Sequence, residues 1–218
     1  MNEVFLEMGD KMEKSKSKFR EYFESLVIAA IIAFFVRSFF IQAFKIPSGS
    51  MEPTLLIGDH LLVNRLSYVV KVPFTDITLL NLGSPKRGDV IVFRYPVDRS
   101  KDFIKRVIAT EGETVEIRNK AIYVNGRKID DQWGVYLDAE IVPKFLSPKD
   151  NLGPVKVPKD CIFAMGDNRD RSLDSRFWGF VRRDDLVGKA LILYFSWNGQ
   201  AGNPVNYVRW ERLGKLIR

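Results

Sequence analysis

From Leu26 to Val36 every position is apolar, and the apolar character resumes past Arg37 as far as Phe44. Leu26 to Phe44 is 19 residues, about 28 Å as a helix, which matches the hydrocarbon core of a bilayer. The pattern predicts a transmembrane anchor over 25–44. Lys11, Lys14, Lys16, Lys18 and Arg20 precede it, against Arg37 and Lys45 at its far end, so 1–24 is expected in the cytoplasm. Arg37 can snorkel to the headgroups. No small-x-small site follows, so the span reads as an uncleaved anchor, not a removed leader.

Beyond Phe44 the apolar pattern becomes that of strands. Leu61-Leu62-Val63, Asp89 to Tyr95, Phe103 to Ala109, Thr114 to Arg118, Ala121 to Val124, Asp160 to Met165 and Val187 to Trp197 are short, β-branched and aromatic-rich, as strands are. Asn125-Gly126 between Val124 and Arg127 predicts a hairpin closed by a type I′ turn. From about 131 to 154 the pattern is irregular, with Pro143, Pro148 and Pro154, and reads as an insertion. The expected fold is mainly β: an antiparallel β-sheet domain over 45–197, one N-terminal transmembrane helix and a C-terminal tail, 198–218.

Composition narrows the partners. The net charge is +7, but 34 Lys and Arg are interleaved with 27 Asp and Glu. No basic arm or nucleic-acid motif appears, so the charge points to a membrane surface and not to nucleic acid. Cys161 is alone and His60 is the one histidine, which excludes an intrachain disulfide and all but excludes a His/Cys metal site; a carboxylate-only magnesium or calcium site stays open but has no matching motif. No cofactor or metal is expected.

Three segments carry candidate chemistry. Pro47-Ser48-Gly49-Ser50-Met51-Glu52-Pro53 sets Ser50 in a turn that glycine and flanking prolines shape, fit to present a hydroxyl. Such turns are also common surface loops. In Phe103-Ile104-Lys105-Arg106-Val107 the lysine shares a strand face with Phe103, Val107 and Ala109. Desolvation there would lower its pKa and let a neutral amine take a serine proton; an edge lysine that reaches water is the plainer reading. Gly166 to Arg176 packs Asp167, Asn168, Arg169, Asp170, Asp174 and Arg176 between apolar flanks, which suits a loop that buttresses a site or an exposed, ion-paired turn. His60, in a strand-like setting without a companion motif, reads as structural.

Ser48-Gly49-Ser50-Met51 with Pro53-Thr54-Leu55, Lys86 to Phe93, Ile104 to Val107 and Gly166 to Asp170 resemble, in order, the signature boxes of bacterial type I signal peptidase. The resemblance runs from about Leu26 to Trp197. It implies a membrane-bound serine endopeptidase with a Ser-Lys dyad, Ser50 as nucleophile and Lys105 as base. Ser48, with the Ser50 N–H, resembles the oxyanion hole; Ser172 resembles the serine that orients the lysine; Asp174 and Arg176 resemble the salt-bridged support. It further implies exported preproteins with small residues at −1 and −3 as substrates, a cell-membrane location, and a catalytic domain outside the cytoplasm. One candidate span stands where some members have two, and the cysteine pair of some members is missing. A related Ser-Lys processing peptidase of the pilin or conjugation type, and an inactive homologue that only holds preproteins, are the alternatives. Met51, Leu55 and Leu56 are expected near the lipid, because Ser50 follows Phe44 by six residues.

Overall fold

The computed structural model describes residues 18–71 and 78–218; residues 1–17 of the expected cytoplasmic segment lie outside them. The first compact unit is made by helix α1 (Lys18–Phe39) up to Arg37, and the second runs from Ser38 to Arg218. Phe19, Phe23, Leu26, Ile28, Ile32 and Phe35 of α1 are all exposed, so the helix is apolar all round without a single buried stripe. Arg20 and Glu24 pair across one turn at 2.8 Å.

The expected span of 25–44 needs correction at its C-terminal end. The helix stops at Phe39, and Ile41–Lys45 forms a strand, β1, with an antiparallel partner in β2 (Asp59–Asn64), Ile41 opposite Asn64 and Lys45 opposite His60. Ile41-Gln42-Ala43-Phe44-Lys45 alternates exposed with half-buried positions, a period of two that an unbroken count of apolar residues conceals. Between Glu24 and Arg37 lie twelve uncharged residues, about 18 Å of helix. Among the described residues no helix is long and apolar enough to cross a membrane.

The remaining strands are β3 (Val69–Lys71), β4 (Thr78–Asn81), β5 (Val90–Arg94), β6 (Asp102–Thr110), β7 (Thr114–Arg118), β8 (Ala121–Val124), β9 (Arg127–Lys128), β10 (Leu152–Lys156), β11 (Cys161–Met165), β12 (Val181–Arg182) and β13 (Leu186–Ser196). Seven strands form one sheet in the order β1-β2-β13-β5-β6-β11-β12, four form a second, β10-β7-β8-β9, and β3 pairs with β4. Every pairing within these sheets is antiparallel. Asn125 and Gly126 take φ of 52° and 77° between β8 and β9, as the hairpin reading requires.

Strand β5 shows how the core is laid out. Val90 and Val92 join Met51, Leu55, Leu61, Val63 and Leu193 on one face; Ile91 and Phe93 join Tyr68, Val107 and Leu186 on the other. Each such side chain contributes roughly 1.5–3 kcal/mol when fully buried. Met51 and Leu55 have no exposed surface, so the expectation that they meet lipid is overturned: they are the apolar plugs that hold the Ser50 turn to the sheet. Strand β6 feeds two apolar clusters. Val107 lies opposite Ala164 and Ala109 opposite Phe163, with Ile108 the extra residue of a bulge. The bulge turns Ala109 away from Val107 and into a third cluster with Val115, Ile122 and Phe163, as an inserted residue does.

After Trp197 the chain folds back. Leu216 bridges Ile192, Val208 bridges Trp197, and Ile217 enters the cluster around Met51. Arg212 reaches buried Asp59, Nε at 3.0 Å from Oδ1 and Nη2 at 2.5 Å from Oδ2.

Candidate active site

Ser50 sits in a single 3₁₀ turn, Gly49–Met51, that follows extended Ser48. The turn is held at both ends. Ile46 is buried and its N–H donates to Asp59 O at 2.8 Å, while Met51 plugs the core on the far side. A third restraint comes from the distant polar loop: the Asn168 N–H donates to Ser50 O at 3.2 Å and its Nδ2 to Gly49 O at 3.3 Å. Ser48 is exposed and its side chain caps nothing.

Lys105 lies on β6 opposite Ile91 and is 3% exposed. Its Nζ donates to Ser50 Oγ at 2.6 Å and lies 5.7 Å from the Phe103 ring centroid. Burial draws its pKa down to about 8, with help from the Arg176 charge and against the Asp174 and Asp167 carboxylates, which pull it up. The strand-face reading of Lys105 therefore holds for Phe103 and Val107 and fails for Ala109, which the bulge at Ile108 carries into another cluster. The edge reading fails because β6 is an interior strand, between β5 and β11.

The loop after β11 supplies two buried ion pairs. Asp174, wholly buried, accepts from Arg176 Nε and Nη2, each at 2.9 Å, and from the Gly166 N–H at 3.1 Å. Burial alone would raise the Asp174 pKa, but Arg176 and these hydrogen bonds outweigh it and hold it low. Arg176 also donates to Arg169 O at 2.6 Å and Lys149 O at 2.9 Å. Arg106 and Asp167 form the second pair, at 2.8 and 2.6 Å, with no exposed surface on either side chain. Thr54 Oγ1 donates to Asp167 at 2.6 Å, and the Arg106 guanidinium stacks 4.6 Å from the Trp133 ring centroid. Both pairs are bidentate, the arrangement in which arginine fixes a carboxylate most firmly.

Ser172 is buried 6% exposed, and its Oγ makes no hydrogen bond of ordinary geometry, though it lies close enough to Asp174 to help lower that pKa. It makes no hydrogen bond to Lys105 here. Gly166 is the reason these groups approach so closely: a Cβ there would stand 2.3 Å from both Ser50 O and Ser172 Oγ. His60 is elsewhere, on β2, edge-on to Tyr194 and Phe195 at 5.9 and 5.6 Å.

Sequence reasoning named Ser48, Ser50, Lys105, Ser172, Asp174 and Arg176, and the structure places all six in this region. It gave no role to Arg106, Thr54 or Asn168, which stood within the quoted segments but have partners 61, 113 and 119 positions away. The 131–154 insertion also bears on the site. Val135 bridges Asn168, and Asp131 pairs with buried Arg169 at 2.7 Å. Ser48, Ser50 and Lys105 open on a cleft of about 270 Å³ walled by Phe103, Ile104 and Leu173. A hydroxyl against a nearly dry amine of lowered pKa, with a cleft above both, is fit for nucleophilic attack on a carbonyl.

A family model described as "Signal peptidase, peptidase S26" matches residues 19–197. A signal peptidase I of Pseudomonas fluorescens is 37% identical over 211 residues, covering 81% of this chain and 72% of that protein. One of Aquifex aeolicus is 35% identical over 240 residues, covering 84% and 88%. A probable signal peptidase I-2 of Synechocystis is 38% identical over 178 residues, covering 79% and 71%.

Proposed function

The chain belongs to the signal peptidase family, peptidase S26, and we propose that Ser50 is its nucleophile and Lys105 its general base. Its function is that of a signal peptidase I, a serine peptidase that cleaves signal peptides from preproteins. One observation carries the residue assignment: a lysine of pKa about 8 stands 2.6 Å from a serine hydroxyl.

The chemistry follows from that contact. Neutral Lys105 takes the Ser50 proton as Oγ attacks the scissile carbonyl carbon. The oxyanion so formed meets Ser48 Oγ and the Ser50 N–H, donors aimed where charge develops. The tetrahedral adduct collapses, Lys105 gives its proton to the leaving amine, and the signal peptide remains esterified on Ser50. Water, deprotonated by Lys105, then hydrolyses the ester. Ser172, whose buried hydroxyl lies beside Asp174 without a hydrogen bond of ordinary geometry, is assigned to hold the amine once Ser50 is acylated. The Asp174–Arg176 pair fixes the loop behind it.

Substrates are extended peptides laid along strand edges, with small residues at −1 and −3 that suit the apolar walls of the cleft. The helix α1 is the membrane anchor in this reading. Tyr22, Phe23 and Arg37 flank its uncharged stretch, where such side chains suit the interface. The N-terminus is cytoplasmic, and residues 45–218 are extracytoplasmic. The decisive experiment is cleavage of one preprotein in detergent by wild type, Ser50→Ala and Lys105→Arg. Wild type cleaves and neither variant does, because guanidinium does not deprotonate in proteins; turnover by Lys105→Arg would refute the lysine base.

A further inference from the structure

The 166–176 loop carries three arginines, and two are committed. Arg169 is buried against Asp131 and Arg176 against Asp174. Arg171 is exposed, and among the described residues its side chain has neither a hydrogen bond nor an ion pair. An exposed arginine without a partner is ordinarily just solvated. This one, however, walls the cleft that holds Ser50 and Lys105, beside Leu173. Apart from Lys105, which is engaged with Ser50, the cleft's other charged wall residue is Asp102, which faces Arg94 and Arg65. The unanswered charge at the cleft wall is therefore positive, and it is a planar fork matched to carboxylates.

We propose that Arg171 is a specificity-determining residue that reads an aspartate or glutamate side chain of the substrate within two residues of the scissile bond. The proposal rests on the Ser50–Lys105 dyad, since the cleft is theirs. The short range follows from size: about 270 Å³ is below the roughly 300–1,000 Å³ of a site for a drug-sized ligand, so a group that meets Arg171 lies near the attacked carbonyl. In an unmodified peptide the anions are carboxylates. A contact of this kind forms before the transition state, so it acts mainly through KM.

The test uses peptides that share one cleavage site and differ only in Gln, Glu or Lys at −2, +1 or +2. At one or more of these positions wild type should favour Glu over Gln by about five-fold in kcat/KM, the scale of a partly exposed ion pair. Raising salt should shrink the preference. Arg171→Gln should bring the ratio to about one, and Arg171→Glu should reverse it in favour of Lys. Each ratio is internal to one enzyme, so differences in folded fraction cancel. A Glu/Gln ratio that is the same in all three enzymes at every position overturns the proposal, as it would if Arg171 served a lipid headgroup instead. Loss of all Ser50-dependent cleavage of the Gln peptides by wild type would overturn the dyad together with it.

Discussion

The Lys105 amine makes two demands on pH. As a base of pKa about 8 it should give a kcat/KM that climbs about ten-fold per unit below pH 8 and levels above it, measurable with one preprotein across pH 6 to 10. For stability, the lysine titrates near 10.4 when unfolded and near 8 when folded. Between those values the unfolded chain binds more protons, so stability rises with pH through that window, and the penalty is fully present below pH 8. Lys105→Met should therefore be inactive yet more stable at pH 7 by about 2 kcal/mol, with the gain fading towards pH 10. Denaturant midpoints at both pH values check this, and a less stable variant at pH 7 would contradict a strained amine. His60→Ala, away from the cleft and packed on Tyr194 and Phe195, should still cleave. At this scale Lys105 was legible because its own strand neighbours are apolar. Arg106 was not, because its burial depends on Asp167 and on the Trp133 ring, which no local pattern reveals.

Among the elements, the interior strands with long apolar runs were legible and the boundary between helix and sheet was not. Ile41 to Lys45 became a strand because β2 offered its backbone a partner, a contact that hydropathy does not see. The polar loop was recognised by composition, but its closeness to the Ser50 turn depends on a missing side chain. Gly166→Ala would press a methyl to 2.3 Å from Ser50 O, and that backbone must move. Displacements near 1 Å in an active site can lower rates about a hundred-fold. The variant should keep its circular dichroism spectrum while kcat falls by about that factor; near-normal turnover would mean that the turn can shift freely. The 131–154 segment read as a loop from its prolines, whereas its bond between Asp131 and Arg169 required the fold.

Across the whole molecule, the antiparallel β character was legible and the strand order was not, since pairing joins segments far apart in the chain. The fold-back after Trp197 is the clearest case. Burial would raise the Asp59 pKa, but Arg212 and Ser196 outweigh it and hold it low. Arg212→Ala would leave that carboxylate buried without its charge partner, and should lower stability by about 3–5 kcal/mol, read from urea unfolding at pH 7. In oriented vesicles, added protease should reach residues 45–218 only from the extracytoplasmic face; digestion from the cytoplasmic face would reverse the proposed topology. The place of β13 between β2 and β5 has a kinetic consequence. Ser50 belongs to the β1-β2 side of the sheet and Lys105 to the β5-β6 side, and the strand that joins them is made last of the seven. Pairings of such long sequence separation form slowly. A nascent chain that has not yet emerged beyond residue 185 thus holds its serine and lysine on ribbons tied through the 166–176 loop but not yet through the sheet, and cleavage is expected to begin only once β13 inserts.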